Sequence, residues 1–175
     1  ILMLFLGIVF VVGIDVGLNT TIPKFLMERC SILLEQAGLG TSLYFVARTV
    51  GTFAGAILLV KLSERKFFIW SMVAAIPALL IMLQIGNLWS ILTMVFIIGF
   101  AIANVFSIIF SAALKKLPEH ANEISGLMIM GVAGGAIIPL IMGISSDSLG
   151  QTGGMAVLLI AMSYLLFSAF KLKEE

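Results

Sequence analysis

Between Lys66 and Lys115 the chain carries no charged residue. The run from Phe67 to Leu114 is long enough for two membrane crossings of roughly 20 residues each, and the cluster Gln84, Gly86, Asn87 marks a turn between them. That one stretch constrains the fold more than any motif. Hydrocarbon supplies no partner for backbone N–H and C=O groups, so an apolar run of this length and uniformity is expected to close its hydrogen bonds within itself, as a helical hairpin. Strand pairing is not expected. The whole chain agrees, with 61% hydrophobic and 11% charged residues, against about 45–50% and about 25% in soluble domains.

Apolar runs bounded by charge or turn residues give an all-α membrane domain over 1–175, with six helices at about 1–22, 41–60, 67–84, 88–114, 124–144 and 153–170. The connections alternate in character. KLSERK (Lys61 to Lys66), KKLPEHANE (Lys115 to Glu123) and the tail KLKEE (Lys171 to Glu175) hold most of the Lys and Arg, whereas QIGN and SSDSLGQ hold none. The longer Pro23 to Gly40 connection has only Lys24 and Arg29. The excess of basic residues places those loops and the C-terminus on the cytoplasmic side, so Ile1 also starts there. Trp70 and Trp89 then fall near opposite interfaces, as belt residues do.

The first three helices resemble the last three. GTFAGAI (Gly51 to Ile57) matches GVAGGAI (Gly131 to Ile137), and VFVVG (Val9 to Gly13) matches VFIIG (Val95 to Gly99). Three crossings are an odd number, so the second triplet runs opposite to the first and the pair forms an inverted repeat. Convergence between glycine-rich apolar segments is the competing explanation. Gly13 and Gly17, Gly51 and Gly55, and Gly131 and Gly135 each keep a spacing of four, with Pro139 and Gly143 continuing the last stripe. Small residues at that spacing let helix backbones approach.

Polar residues are reserved for particular helices. Asp15 and Asn19 share a face of the first; Tyr44, Arg48 and Thr52 share a face of the second; Asn104, Ser107 and Ser111 line the fourth. At 1.5 Å per residue, Asp15 lies about 21 Å from Ile1 and Arg48 about 20 Å from Lys61, similar heights in a core about 30 Å thick. Each charge alone costs about 2.5 to 3.5 kcal/mol on insertion scales, so pairing, or water in a cavity, is expected. Three readings stay open: a fixed ion pair locking two helices, a membrane that ends near Ile14 and leaves Asp15 at the surface, or a polar path with Asp15, Asn19, Tyr44, Arg48 and Asn104 facing a substrate.

Other chemistries find little support. One cysteine, Cys30, leaves no internal disulfide and no CxxC metal or redox motif. There is no HExxH, no GxSxG and no second carboxylate near Asp15 in sequence, so neither an enzyme nor a cofactor is expected. A net charge of +1 gives no reason to expect nucleic acid. His120 sits in a basic loop and reads as solvated. Ile1 is not an initiator methionine, and the first segment lacks the basic region and small-residue cleavage site of a signal peptide, so the chain is expected to be cut from something longer, or processed.

ISGLMIMGVAGGAIIPLIMG (Ile124 to Gly143) and GFAIANVFSIIFSAALKK (Gly99 to Lys116) resemble the last helices of the fucose permease and glucose/galactose transporter branch of the major facilitator superfamily. GIDVGLNTTIPKFL and SLYFVARTVGTFAGAILL resemble that branch's seventh and eighth helices. The resemblance implies the C-terminal half of a twelve-helix fold, with the first, second, fourth and fifth helices lining a central cavity. It implies alternating access against a missing N-terminal six-helix half, with a small sugar and protons as partners, in the cytoplasmic (inner) membrane. The branch's proton-coupling carboxylates lie mainly in the other half, which gives Asp15 a supporting role. The loop KLSERKF matches the superfamily's gate motif only at Arg65 and Lys66, since Ile57 and Lys61 stand where its glycine and aspartate belong, and Ser107 replaces a proline common in relatives. A stand-alone six-helix membrane protein with a structural or homodimeric role is the alternative.

Overall fold

A computed structural model describes residues 1–172; Lys173, Glu174 and Glu175, the end of the expected tail and domain, lie outside the described residues. Those described are helical, with no strand among them. The elements are α1 (Leu2–Cys30), α2 (Leu34–Leu59), α3 (Glu64–Gln84), α4 (Leu88–Ile102), α5 (Val105–Lys116), a 3-10 turn (Pro118–His120), α6 (Ala121–Met130), a second 3-10 turn (Gly131–Ala133) and α7 (Gly134–Lys171). Five stretches are long and apolar enough to cross a membrane: Leu2–Cys30, Leu34–Leu59, Glu64–Gln84, Leu88–Lys116 and Pro118–Lys171.

The expected Pro23 to Gly40 connection shrinks to three residues. α1 continues through Pro23 to Cys30, and α2 begins at Leu34. KFLMER is built of good helix formers, and Phe25 and Leu26 continue the buried stripe of Leu18 and Ile22. Pro23 lacks an N–H, which leaves the carbonyl of Asn19 without its helical donor; the Thr41 hydroxyl donates to it at 3.4 Å. The helix stops at Ser31, whose N–H still donates to the Met27 carbonyl while its left-handed φ of 53° turns the following chain out of the helix. Arg29 then donates to the carbonyls of Leu83 and Ile85 at the end of α3, groups that have no helical partner of their own.

The fourth expected helix is broken. α4 ends at Ile102 and α5 starts at Val105, with Ala103 and Asn104 between. The other connections are more ordered than charge and turn residues suggest. Only Leu117 and the 3-10 turn Pro118–His120 separate α5 from α6, and the polar stretch SSDSLGQ is helical apart from one residue, Gly150, at φ 68°. A left-handed backbone there suits glycine. Glu28 closes the break, accepting the Gln151 N–H at 3.1 Å.

α1 packs most extensively on α7, and α2 on α4. Both crossings bring backbone against backbone. A Cβ on Gly134 would overlap the Val9 carbonyl, and one on Gly13 would overlap Ile138. Across the other crossing, a Cβ on Gly51 would lie 2.6 Å from the Phe100 carbonyl oxygen, and one on Gly55 would overlap the Asn104 amide. The two crossings share this device without sharing contacts residue for residue. Gly143, expected to extend the stripe, faces open space.

Gly134→Ala is therefore expected to lower the stability of the full-length protein by about 1–3 kcal/mol, the usual penalty of overpacking. Gly143→Ala, on the same helix, should leave it unchanged. Thermal unfolding of the purified protein in detergent checks the pair.

Candidate functional site

Asp15 and Arg48 meet. The turn of α1 that carries Gly13 and Gly17 seats it against α7 and presents Asp15 toward α2, where Tyr44 and Arg48 lie one turn apart. Tyr44 donates from Oη to Asp15 Oδ1 at 2.7 Å. The guanidinium of Arg48 donates through Nη1 to the other oxygen, Oδ2. Each carboxylate oxygen thus has a partner from α2. Tyr44 is wholly buried, whereas the Asp15 and Arg48 side chains keep 26% and 28% of their surface. One edge of the pair is therefore open while the other is fixed by the tyrosine.

A cavity of about 50 Å³ adjoins the pair, walled by Val11, Val12, Ile102 and Phe106. It draws on α1, α2, α4 and α5. That space suits one or two waters held by the charged groups; it lies far below the roughly 300–1,000 Å³ of small-molecule pockets.

The remaining sequence candidates divide. Asn19 lies one turn from Asp15, half-buried, with its carbonyl rather than its side chain engaged by Thr41. Asn104 is buried at the α4–α5 break, where its Nδ2 donates to the Gly51 carbonyl at 2.8 Å. It bridges the tight α2 crossing and does not touch the Asp15 cluster through any hydrogen bond. Thr52 and Ser107 are exposed, and the Thr52 hydroxyl returns to the Arg48 carbonyl at 2.9 Å.

Ser111 belongs to another group. Its hydroxyl donates to Glu64 Oε1 at 3.3 Å, and Lys115 Nζ donates to the same oxygen at 2.9 Å. No sequence signal connected Glu64 to these residues, since the contact joins the start of α3 to the end of α5. Phe106, beside Arg48, was also missed, hidden among equivalent apolar neighbours. Among the described residues no group of three His, Cys, Asp or Glu side chains could hold a metal ion.

The sequence profile of the Major Facilitator Superfamily matches residues 4–175. The chain belongs to that superfamily. A glucose/galactose transporter of Brucella abortus is 28% identical over 167 residues, covering 93% of this chain and 40% of its own length. The glucose/mannose transporter GlcP of Bacillus subtilis is 30% identical over 167 residues, covering 89% of this chain and 41% of its own length. The relatives are transporters, not enzymes. This superfamily member spans about two fifths of their length. Its fold matches the crystal structure of the superfamily transporter FucP in the outward conformation, with a TM-score of 0.89 at 18% identity, over 99% of this chain and 42% of that one.

Tyr44→Phe removes the donor to Asp15 Oδ1 and leaves the ring in place. It is expected to destabilise the full-length protein by about 1.5–3 kcal/mol, the range for a hydrogen bond to a charged group, whereas Thr52→Val should change little. Thermal unfolding distinguishes the two.

Proposed function

We propose that the chain is the C-terminal six-helix half of a secondary active transporter that moves a small hexose or deoxyhexose by alternating access, coupled to protons. The observation that carries this is the Asp15–Tyr44–Arg48 cluster: charged groups inside the apolar span, fixed on one side, open on the other, beside a cavity too small for a sugar. A substrate space assembled with a second six-helix domain resolves that mismatch. Relatives named as glucose/galactose and glucose/mannose transporters, each more than twice as long, support both parts of the reading.

Six crossings follow if Gly150 divides α7. Thirty-eight residues make a helix about 57 Å long, nearly twice the hydrocarbon thickness. Segments 134–149 and 151–171 are then separate crossings, the first continuing α6. The inverted repeat is supported by the two glycine-mediated crossings, which join the triplets reciprocally. α1, first of one triplet, meets the 134–149 segment, second of the other; α2, second of one, meets α4, first of the other. The ends of α5 and α7 and the starts of α1 and α3 border one recess, which supports a common basic face, assigned to the cytoplasm of the inner membrane. Exposed Trp70 and Trp89, near the starts of α3 and α4, suit the two interfaces.

Within the site, Arg48, Tyr44 and Asn19 are assigned to a hydroxyl-rich substrate, Arg48 through the donors that Asp15 leaves unused. Asp15 holds Arg48 and supports proton movement rather than carrying it. Asn104 contributes by holding α2 against the α4–α5 break next to the cavity, a positioning role consistent with its buried amide.

Uptake of labelled glucose by cells making the full-length protein tests the assignment. Arg48→Ala and Asn19→Ala, at equal surface expression, should lower uptake, Arg48→Ala by at least about tenfold, as loss of a charged hydrogen bond implies. Wild-type rates in both would remove the site, and uptake indifferent to a protonophore would remove proton coupling.

A further inference from the structure

A carboxylate has about four lone-pair sites and a guanidinium about five N–H donors. Among the described residues, Asp15 takes one donor on each oxygen, from Tyr44 and Arg48, and Arg48 gives one of its N–H groups to Asp15. About two acceptor sites and about four donors of the pair are therefore unspent. Tyr44 is wholly buried and holds the carboxylate from the protein side, whereas Asp15 and Arg48 both line the same small cavity. On that open edge an acceptor and a donor stand side by side, already in contact with each other.

The rest of the cavity limits what can use them. The side chains of Val11, Val12, Ile102 and Phe106 offer no hydrogen bond, so a polar group that enters has the charged pair to bond with. At about 50 Å³ the space holds one or two groups the size of a water, and a hydroxyl is such a group. A hexose ring does not fit, but two neighbouring hydroxyls on its edge do, with the ring left outside. Neighbouring ring hydroxyls stand about one hydrogen-bond length apart, the spacing of a donor and an acceptor in contact. Each hydroxyl can donate or accept, so one matches Asp15 and the next matches Arg48. A lone ion matches less well, because each charge of the pair already offsets the other.

We propose that the Asp15–Arg48 edge reads two adjacent hydroxyls of the sugar, the first donating to Asp15 and the second accepting from Arg48. The inference rests on the sugar-transporter reading and makes Asp15 a direct contact of the substrate. Deoxyglucoses lacking one hydroxyl at a time, competing with labelled glucose on purified full-length protein in a scintillation proximity assay, provide the test, which requires binding but no transport. In wild type, the analogues lacking either of the two hydroxyls should bind at least about tenfold more weakly than glucose, as loss of a hydrogen bond to a charged group implies. Contacts from a second domain can penalise other positions as well, so the variants decide which penalties belong to this edge. Asp15→Asn should remove the penalty at the donating position. Val12→Leu keeps both charges, adds a methylene to the cavity wall and should remove both penalties; it carries the test if Asp15→Asn does not fold. Penalties that neither variant shifts, or shifted positions that are not neighbours on the ring, overturn the diol contact and leave the sugar reading standing. If glucose, galactose and mannose all fail to bind wild type, the sugar reading falls and the contact falls with it.

Discussion

Lipid gives two helices no hydrophobic reason to associate, so their contact has to come from packing and from polar groups that hydrocarbon will not solvate. The rest of this structure follows from how that is met. Gly134 against the Val9 carbonyl, and Gly51 against the Phe100 carbonyl, bring α1 to α7 and α2 to α4 at backbone distance. Those crossings fix the rotation of α1 and α2, and rotation decides where Asp15 and Arg48 point. An alanine in place of either glycine would disturb more than local packing.

The polar groups complete what the glycines begin. The Asn104 amide bonds the Gly51 carbonyl just where α4 gives way to α5, so a helix break inside hydrocarbon is sealed by a neighbour. The Thr41 hydroxyl serves the Asn19 carbonyl that Pro23 leaves without a donor. Asp15, Tyr44 and Arg48 differ from these local repairs. Their hydrogen bonds join two helices around a charge pair that keeps about a quarter of its side-chain surface, beside space for little more than water. In the proposed transporter that open edge faces the space shared with a second domain.

Much of this was legible in the residues, and what was not has physical reasons. The charge-free run from Phe67 to Leu114 was enough to indicate helices in a membrane, and height along sequential helices was enough to bring Asp15 to Arg48, because a straight helix turns residue number into depth. In the Pro23 to Gly40 stretch proline, charge and glycine are loop signals by local propensity alone. Tertiary partners for the Asn19, Leu83 and Ile85 carbonyls let helix persist there instead. Asn104 looked like a member of a polar stripe along one continuous helix; the break beside it turns its amide to Gly51, and nothing in its spacing foretells a break. Gly134 was overlooked next to the regular Gly131 and Gly135, since the tightest contact depends on the 3-10 turn at Gly131–Ala133, which shifts the register of the face.

The central claim is that Asp15 and Arg48 act as one unit within the apolar span. A double-mutant cycle of Asp15→Asn and Arg48→Gln in the full-length protein, read as thermal stability in detergent, measures it most directly. The account predicts that the double variant loses distinctly less than the sum of the single losses, with a coupling of about 1 kcal/mol or more, because each single change leaves the opposite charge stranded. Additive losses would contradict it.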